Sequence, residues 1–442
     1  MVSTATLPAS IFSDRRSRYF PWRIRRNPFL AIVKMKKQRI GAWLLGAQGG
    51  VATTTIVGLI ALKNGLTGNQ GLVSALPQFA GLDLLDWGDL VVGGHDIRET
   101  TLYDEAMKLA NVSRAIDGNL VERIKAELDE IDTRLRPGVL FNVGATIEAF
   151  ATDRLRGRAE SPRESISRVQ KDLQEFTREN DLDQVIVVNV ASTEPPIDPE
   201  SLPATWDELN STLEDPASCP LAASSLYAIA TLELGIPFVN FTPSLGSAPE
   251  AICELALAAD TCHMGHDGKT GETLLKSSLA PMFANRNLEV MSWVGHNIFG
   301  NMDGKVLDDP ANKKTKVTSK DRLLGQIFGY SPQTLVSIEY IESLGDWKTA
   351  WDHIHFRGFL GTPMMMQFTW QGCDSLLAAP LVLDLIRFTE RAHRRGDRGL
   401  LTFLASFFKS PLGIDENSFV CQFQLLEDWA ETVQNSRLIN DE

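Results

Sequence analysis

The sequence contains few cysteines, no long apolar run and no excess of positive charge. Its 442 residues include five cysteines without a CxxC pair, which favours a reducing, cytoplasmic setting over a disulfide framework. No apolar run reaches the roughly 18 residues of a membrane span, because Asp384 interrupts the longest candidate, and we expect none. A formal net charge of −13 argues against a nucleic-acid binder.

The first 35 residues differ from the rest in charge. Residues 1–39 hold ten Lys or Arg and one acid, Asp14, so this arm carries a net charge near +9 in an acidic chain. The pattern is typical of a basic tail or a transit-like segment. Alternatively, translation begins at Met35, since MKKQRIGAWLLG suits a domain that opens with a strand. We expect the arm to be poorly ordered.

A glycine-rich turn follows the first predicted strand. Residues 39–45 are apolar after a polar start, Gly46 opens the turn GAQGGVATTT, and residues 56–63 are apolar and helical. A strand, a glycine-rich turn and a helix cradle phosphates in dinucleotide folds, because the helix N-terminus supplies N–H groups. The spacing is not GxGxxG, so a tight turn without a ligand stays an alternative.

Strand and helix patterns then alternate, which predicts a Rossmann-like, doubly wound parallel sheet. The predicted strands are 89–93, 139–143, 184–190 and 237–241, and the helices are 103–109, 120–135, 165–178 and 222–234. Ligands bind at the carboxyl ends of such strands. Asp96 follows the second strand and is a candidate acceptor for a ribose hydroxyl, although it lies about 50 residues after Gly46 rather than the usual 20 or so.

From about residue 258 the alternation stops. Strands at 287–293, 334–341 and 364–370 predict a second sheet, which we expect to be antiparallel, and the apolar stretch 355–366 is a candidate for subunit contact. A helical pattern returns at Cys373, and we expect this last part to pack back against the first sheet.

Lysines are concentrated between residues 300 and 320. Lys316 and Lys320 are four residues apart, so a helix would place both ammonium groups on one face. Two such cations need an anion between them, such as a phosphate or an enolate. A solvated lysine-rich loop is the alternative.

The histidines offer no metal site of their own. His263, His266 and Asp267 supply too few ligands for zinc. A divalent or monovalent cation that assists a phosphate stays open, with its ligands unknown.

Six motifs, in order, carry a resemblance to a known family. They are GHDGKTGETLLKS, SWVGHNIFGNMDGKVL, TKVTSKD, LGDWKTAWDH, GCDSLLAAPLVLDL and FFKSP. Together they resemble the myo-inositol-1-phosphate synthase family, in its short archaeal and bacterial form, from about Arg39 to Gln434. The resemblance implies an isomerase that converts D-glucose 6-phosphate to 1D-myo-inositol 3-phosphate through oxidation at C5, enolisation, intramolecular aldol closure and re-reduction. It implies NAD as a retained cofactor and a homotetramer.

The resemblance also implies the site residues and their roles. Lys316 would move the proton at the C5 oxygen, while Lys320 and Lys409 would serve the C1 oxygen and the phosphate. The other catalytic positions are Lys348, Asp267, Asp374, Asp303 and Asn297, with the aspartates 267 and 374 orienting lysines near the nicotinamide. The cofactor positions are Gly46, Gln48, Gly49, Gly50, Val51, Ala52, Asp96, Ala191, Ser192, Thr193, Thr242, Asn301, Asp346 and Ser375.

The same reading divides the chain into four parts. These are the arm 1–35, an NAD-binding domain 36–257, a catalytic and tetramerisation α+β domain 258–372, and a C-terminal segment 373–442. Two rival functions remain: a conventional NAD-dependent dehydrogenase of a phosphorylated substrate, and a catalytically silent protein that binds NAD or a sugar phosphate.

Overall fold

The structure, a computed structural model, describes residues 38–301, 304 and 323–440. The strands are β1 (Ile40–Leu45), β2 (Leu90–Asp96), β3 (Leu135–Pro137), β4 (Gln184–Asn189), β5 (Phe238–Asn240), β6 (Cys262–Gly265), β7 (Glu289–Phe299), β8 (Gln333–Tyr340), β9 (Trp347–Arg357), β10 (Pro363–Cys373) and β11 (Gly399–Leu400). The helices are α1 (Gly50–Lys63), α2 (Leu102–Asn111), α3 (Gly118–Arg123), α4 (Lys125–Asp132), α5 (Ala145–Glu148), α6 (Asp153–Arg156), α7 (Pro162–Glu179), α8 (Trp206–Ser211), α9 (Ala223–Leu232), α10 (Glu250–Ala258), α11 (Gly271–Asn285), α12 (Asp374–Arg395) and α13 (Phe419–Asn440). Predictions for the arm 1–35, Lys316, Lys320 and Asp303 lie outside the described residues.

A seven-stranded sheet in the order β11-β6-β5-β4-β1-β2-β3 forms the larger part of the fold. Every neighbouring pair in it is parallel. All six residues of β1 are buried, as expected for a central strand covered by helices on both faces. The predicted Rossmann-like class is therefore confirmed.

The predicted strand at 139–143 is wrong. The edge strand is β3, which ends at Pro137, and Asn142 adopts a positive φ of 50° that breaks extended structure. The backbone here bonds helix α9 instead of a sheet: the N–H of Val139 donates to the Tyr227 hydroxyl at 3.0 Å, and Phe141 O accepts from the N–H of Ala223. Tertiary partners thus override the local β propensity.

The first sheet also extends past residue 258, where we predicted the alternation to stop. Strand β6 is only four residues long and β11 only two, too short to show a period in the sequence. Both belong to the seven-stranded sheet. Helix α12 then packs against α1, with Leu383 and Ile386 in one core with Ile56 and Ile60.

The second sheet has the order β10-β9-β7-β8. It is mixed, not antiparallel as predicted, because β7 and β8 run parallel and are joined by a crossover of more than 30 residues rather than a hairpin. The prediction also missed strand β9, in which Asp352 occupies a buried position and hides the apolar alternation. Helix α11 covers one face, where Phe283, Trp293 and Ile354 share a core.

Among the described residues, no helix combines the length and the apolar character that crossing a membrane requires.

Candidate active site

The glycine-rich turn is fastened to the end of β2. The N–H groups of Gly46 and Ala47 both donate to His95 O, at 2.9 and 3.0 Å, and the N–H of Gln48 donates to Asp96 Oδ2 at 2.8 Å. Gly46 has a φ of +76°, and a Cβ there would lie 2.7 Å from Ala191 Cα. Only glycine fits this position, because both the dihedral and the contact exclude a side chain.

The turn leads directly into the N-terminus of α1. Gly49 is the N-cap, so the first-turn N–H groups of Gly50, Val51 and Ala52 have no acceptor one turn back within the helix. These N–H groups and the helix dipole favour an anion. A Cβ on Gly50 would stand 3.7 Å from Asp346 Oδ1, so the second half of the chain reaches this helix terminus.

Asp96 serves the turn itself. Its Oδ1 accepts from the N–H groups of Ile97 and Arg98 at 2.8 and 2.9 Å, while its Oδ2 accepts from Gln48. The predicted ribose contact would therefore be an additional bond on a carboxylate already held by three backbone donors. The residue is 9% exposed, and its place at the carboxyl end of β2 agrees with the predicted position.

A buried polar cluster joins α1 to the start of α12. Asp346 Oδ2 accepts from the Cys373 thiol at 2.7 Å and from Ser375 N at 3.1 Å, and the Ser375 hydroxyl also donates to it. Thr54 Oγ1 lies 3.0 Å from Ser375 Oγ, and the N–H of Asp346 donates to Ser113 Oγ at 3.0 Å. Burial raises the pKa of Asp346. The structure thus brings two predicted cofactor residues, Asp346 and Ser375, to the helix that the turn opens.

Lys348 and Asp374 flank this cluster. The lysine Nζ lies 3.6 Å from Asp374 Oδ2 and 5.1 Å from the centre of the Phe299 ring. Both side chains are partly exposed, at 16% and 22%. Backbone contact links the pair to the cofactor side, since the N–H of Asp374 donates to Asp346 O at 3.2 Å.

A second lysine–aspartate pair lies beyond the carboxyl ends of β5 and β6. Lys409 Nζ donates to Asp267 Oδ1 at 2.8 Å, and the backbone N–H of Lys409 donates to Asp267 O at 2.6 Å. The N–H of Asp267 in turn donates to Thr242 O at 2.9 Å. The predicted residues 242, 267 and 409 therefore meet at the sheet edge that also carries the turn.

The loop after β4 starts between the turn after β1 and the residues after β5, because β4 lies between these two strands in the sheet. Asn189 Oδ1 accepts from the N–H of Ala191 at 3.2 Å, Ser192 follows at partial exposure, and Thr193 is buried. The next residue, Glu194, accepts from Ser224 N at 2.7 Å at the start of α9. Burial raises the pKa of Glu194 to about 7.

Asn297 lies in a charged cluster that sequence reasoning missed. Its Nδ2 donates to Glu272 Oε2 at 2.6 Å, and Glu272 Oε1 pairs with Lys276 Nζ at 2.7 Å. Asp352 accepts from the indole N–H of Trp293 at 2.7 Å nearby. The i,i+4 spacing of Glu272 and Lys276 inside a quoted motif was a signal, but such pairs are usually exposed.

Lys269 was also missed. It is 3% exposed, its ammonium donates to the Gln422 side-chain oxygen, and its N–H donates to Phe407 O at 2.8 Å. Burial lowers its pKa to about 7, with Glu416 opposing and Lys409 adding to the shift. Its position two residues after Asp267 was the available signal.

Asn301 is also a predicted cofactor residue. Asn301 Oδ1 accepts from the N–H of Gly304 at 2.9 Å.

In residues 38–301, 304 and 323–440, no group of three or more His, Cys, Asp or Glu side chains is arranged to hold a metal ion.

A parallel sheet of this order, with a glycine-rich turn at the start of α1 and polar groups along its carboxyl edge, defines the class of dinucleotide-binding α/β enzymes. Comparison with known proteins gives the family within that class. Residues 40–431 match the model of an NAD-binding family described as myo-inositol-1-phosphate synthase. The chain belongs to this family, which confirms the resemblance and the binding of NAD.

Individual relatives agree with the family match. The chain is 33% identical over 405 residues to inositol-3-phosphate synthase 1 of Bacteroides thetaiotaomicron, covering 86% of this chain and 91% of that protein. It is 27% identical to inositol-3-phosphate synthase 1 of rice, covering 80% and 75%. The solved inositol-3-phosphate synthase of Caenorhabditis elegans shares the fold with a TM-score of 0.81 at 23% identity, over 90% of this chain and 86% of that one.

Proposed function

We propose that this chain converts D-glucose 6-phosphate to 1D-myo-inositol 3-phosphate, with one NAD retained through the cycle. The observation that carries the proposal is the family match across residues 40–431. The two lysine–aspartate pairs at the cofactor edge supply the cationic groups that the reaction needs.

The geometry of the glycine-rich turn is suited to binding a dinucleotide. Gly46 and Gly50 leave the approach to α1 free of side chains, and three first-turn N–H groups face it. NAD held there supplies a hydride acceptor at C5 and later the hydride donor. The residues that would hold it are Gly46, Gln48, Gly49, Gly50, Val51, Ala52, Asp96, Ala191, Ser192, Thr193, Thr242, Asn301, Asp346 and Ser375.

The lysines act on the charge that develops on the sugar phosphate. The substrate becomes in turn an alkoxide, an enolate and an aldolate, and fixed ammonium groups stabilise each of these more than they stabilise the resting sugar. Lys409 is oriented by Asp267 and Lys348 by Asp374. In the proposal Lys316 moves the proton at the C5 oxygen, Lys320 and Lys409 serve the C1 oxygen and the phosphate, and Asn297 and Asp303 line the site.

The decisive experiment supplies glucose 6-phosphate with a catalytic amount of NAD and follows the products by phosphorus and carbon NMR. An inositol phosphate without net NADH supports the proposal. Steady NADH release would instead indicate a conventional dehydrogenase, and no product at all would indicate a silent binding protein.

Lys316→Ala tests the assignment of the principal lysine. The variant should keep its melting temperature and lose turnover, whereas Lys313→Ala, a nearby lysine with no assigned role, should retain it. If Lys316→Ala turns over as fast as Lys313→Ala and the wild type, Lys316 is not a catalytic residue.

A homotetramer is part of the proposal. The face of the second sheet opposite α11 carries Leu335 on β8, Trp351 on β9 and Met365 on β10, which are 55%, 44% and 66% exposed. An apolar sheet face of this kind is typical of a subunit interface. Light scattering should give four times the 48.8 kDa of one chain. Trp351→Glu should lower that mass, and Leu257→Glu, at an exposed leucine on α10, should leave it unchanged.

The cation, the location and the domain division are further parts of the proposal. A divalent or monovalent cation beside the substrate phosphate is tested by dialysis against EDTA and add-back of Mg²⁺ or K⁺. A cytoplasmic location is supported by the five cysteines, of which none is paired. A division of the described residues into two domains is supported by the two separate sheets. Because β6 belongs to the first sheet, the proposed boundary at residue 257 moves to after Gly265, and the proposed boundary at residue 35 lies outside the described residues.

A further inference from the structure

The glycine-rich turn depends on the backbone carbonyl of one residue, His95. Its oxygen accepts from two successive N–H groups of the turn, those of Gly46 and Ala47. His95 pairs with Leu45 in the register of β1 and β2, so this carbonyl sets where the turn leaves the sheet. A shift of His95 would therefore move the turn and the start of α1 together.

The side chain of His95 is held from both sides in the interior. Trp43 Nε1 donates to His95 Nδ1 at 3.0 Å, and His95 Nε2 lies 3.0 Å from Asp172 Oδ2 on α7. Trp43 and His95 are each 1% exposed. Their rings meet edge to face with centroids 4.9 Å apart, and the His95 ring lies 5.4 Å from that of Tyr227.

These partners determine the protonation state of the imidazole. An indole N–H is a donor only, so Nδ1 must be an unprotonated acceptor. The single ring proton therefore lies on Nε2, where it donates to the Asp172 carboxylate. A second proton, on Nδ1, would point at the Trp43 N–H in a space that excludes water.

We propose that His95, held as the Nε2–H tautomer between Trp43 and Asp172, is a positioning residue for the dinucleotide-binding turn. The inference rests on the proposed function, since it assumes that NAD binds at this turn. It adds a group that touches neither cofactor nor substrate and acts through its backbone carbonyl.

The charged surroundings of the ring support a neutral imidazole. Asp172 and Arg168 face it from α7, Arg136 from β3, and the Tyr227 ring from α9. Burial lowers the pKa of His95, and the two arginines lower it further, while Asp172 opposes them. The contribution of His95 to NAD affinity should therefore not change through mildly acidic pH in the wild type.

Trp43→Phe removes the donor that forbids a proton on Nδ1. Calorimetric titration with NAD should show a dissociation constant raised about three- to tenfold, the range expected for one lost buried hydrogen bond. The loss should grow as the pH falls, while KM for glucose 6-phosphate stays within about twofold. Trp429→Phe is the matched control, because its indole N–H also donates to a side chain, here Asp397 Oδ2 at 2.9 Å, but near the C-terminus. It should bind NAD like the wild type at every pH.

A second pair of variants tests the other partner of the imidazole, Asp172, whose side chain is partly exposed. Asp172→Asn keeps an oxygen that accepts from Nε2–H and should bind NAD within about twofold of the wild type, whereas Asp172→Leu should lose affinity as Trp43→Phe does. Wild-type affinity and the wild-type pH profile in both Trp43→Phe and Asp172→Leu would overturn the inference alone. If the wild type itself fails to bind NAD, the proposed function fails, and the inference with it.

Discussion

Lys276→Met should strongly destabilise the protein, because it removes one member of a buried ion pair. Lys276 Nζ lies 2.7 Å from Glu272 Oε1, and the two side chains are 2% and 1% exposed. The lysine ammonium also lies 5.8 Å from the centre of the Trp293 ring. After the substitution, the Glu272 carboxylate would keep Asn297 as a hydrogen-bond donor but lose the Lys276 ammonium.

The expected loss is about 3–5 kcal/mol of the free energy of unfolding, the usual cost of removing one member of a buried pair. This is a large share of the roughly 5–15 kcal/mol that stabilises a typical domain. The double variant Glu272→Gln with Lys276→Met carries no buried charge at this position and should recover most of the loss. The recovery distinguishes an electrostatic cost from a packing defect.

Urea unfolding at one fixed chain concentration measures both effects. Lys125→Met is the matched control, because Lys125 also pairs with an acid four residues away, at 2.8 Å from Asp129, but both side chains are about half exposed. It should leave the unfolding midpoint nearly unchanged. If Lys276→Met shifts the midpoint no more than Lys125→Met does, or if the double variant is as unstable as the single one, the reasoning is refuted.

Three further predictions concern a buried lysine, the turn and the substrate side. Because the pKa of Lys269 falls to about 7 on folding, the unfolded chain binds more protons at this residue above that pH. Between about pH 7.5 and 9.5, the free energy of unfolding should therefore rise by about 2–3 kcal/mol more in the wild type than in Lys269→Met. Urea unfolding at a series of pH values measures this, and an equal rise in both proteins would contradict it. Gly46→Ala should weaken NAD binding at least about tenfold in calorimetry. Gly58→Ala, whose added Cβ meets open space, should bind NAD like the wild type. Equal NAD affinities of the two variants would show that the turn does not bind NAD. Asp267→Asn should lower kcat about a hundredfold with an unchanged melting temperature, because Lys409 loses its charged partner, and Asp129→Asn should leave kcat as it is; an unaffected Asp267→Asn would remove this pair from the reaction.

Local patterns were enough for the class of fold and the family. Strand β1, its glycine-rich turn and helix α1 are adjacent in the chain, so the local sequence pattern alone predicts all three. The family followed from six motifs that occur in the same order along the chain as in the family. The positions of Asp346 and Ser375 beside α1 agree with those motifs, although about 300 residues separate them from the turn.

The tertiary structure alone decided which polar groups are buried. Residues 139–143 have the composition of a strand, yet their backbone bonds α9, and β9 was missed because a buried Asp352 breaks its apolar alternation. Lys269 and the Glu272–Lys276 pair look like surface charges in the sequence. Whether a charge meets water or an opposite charge depends on which distant segments cover it, and that is a property of the assembled fold rather than of neighbouring residues.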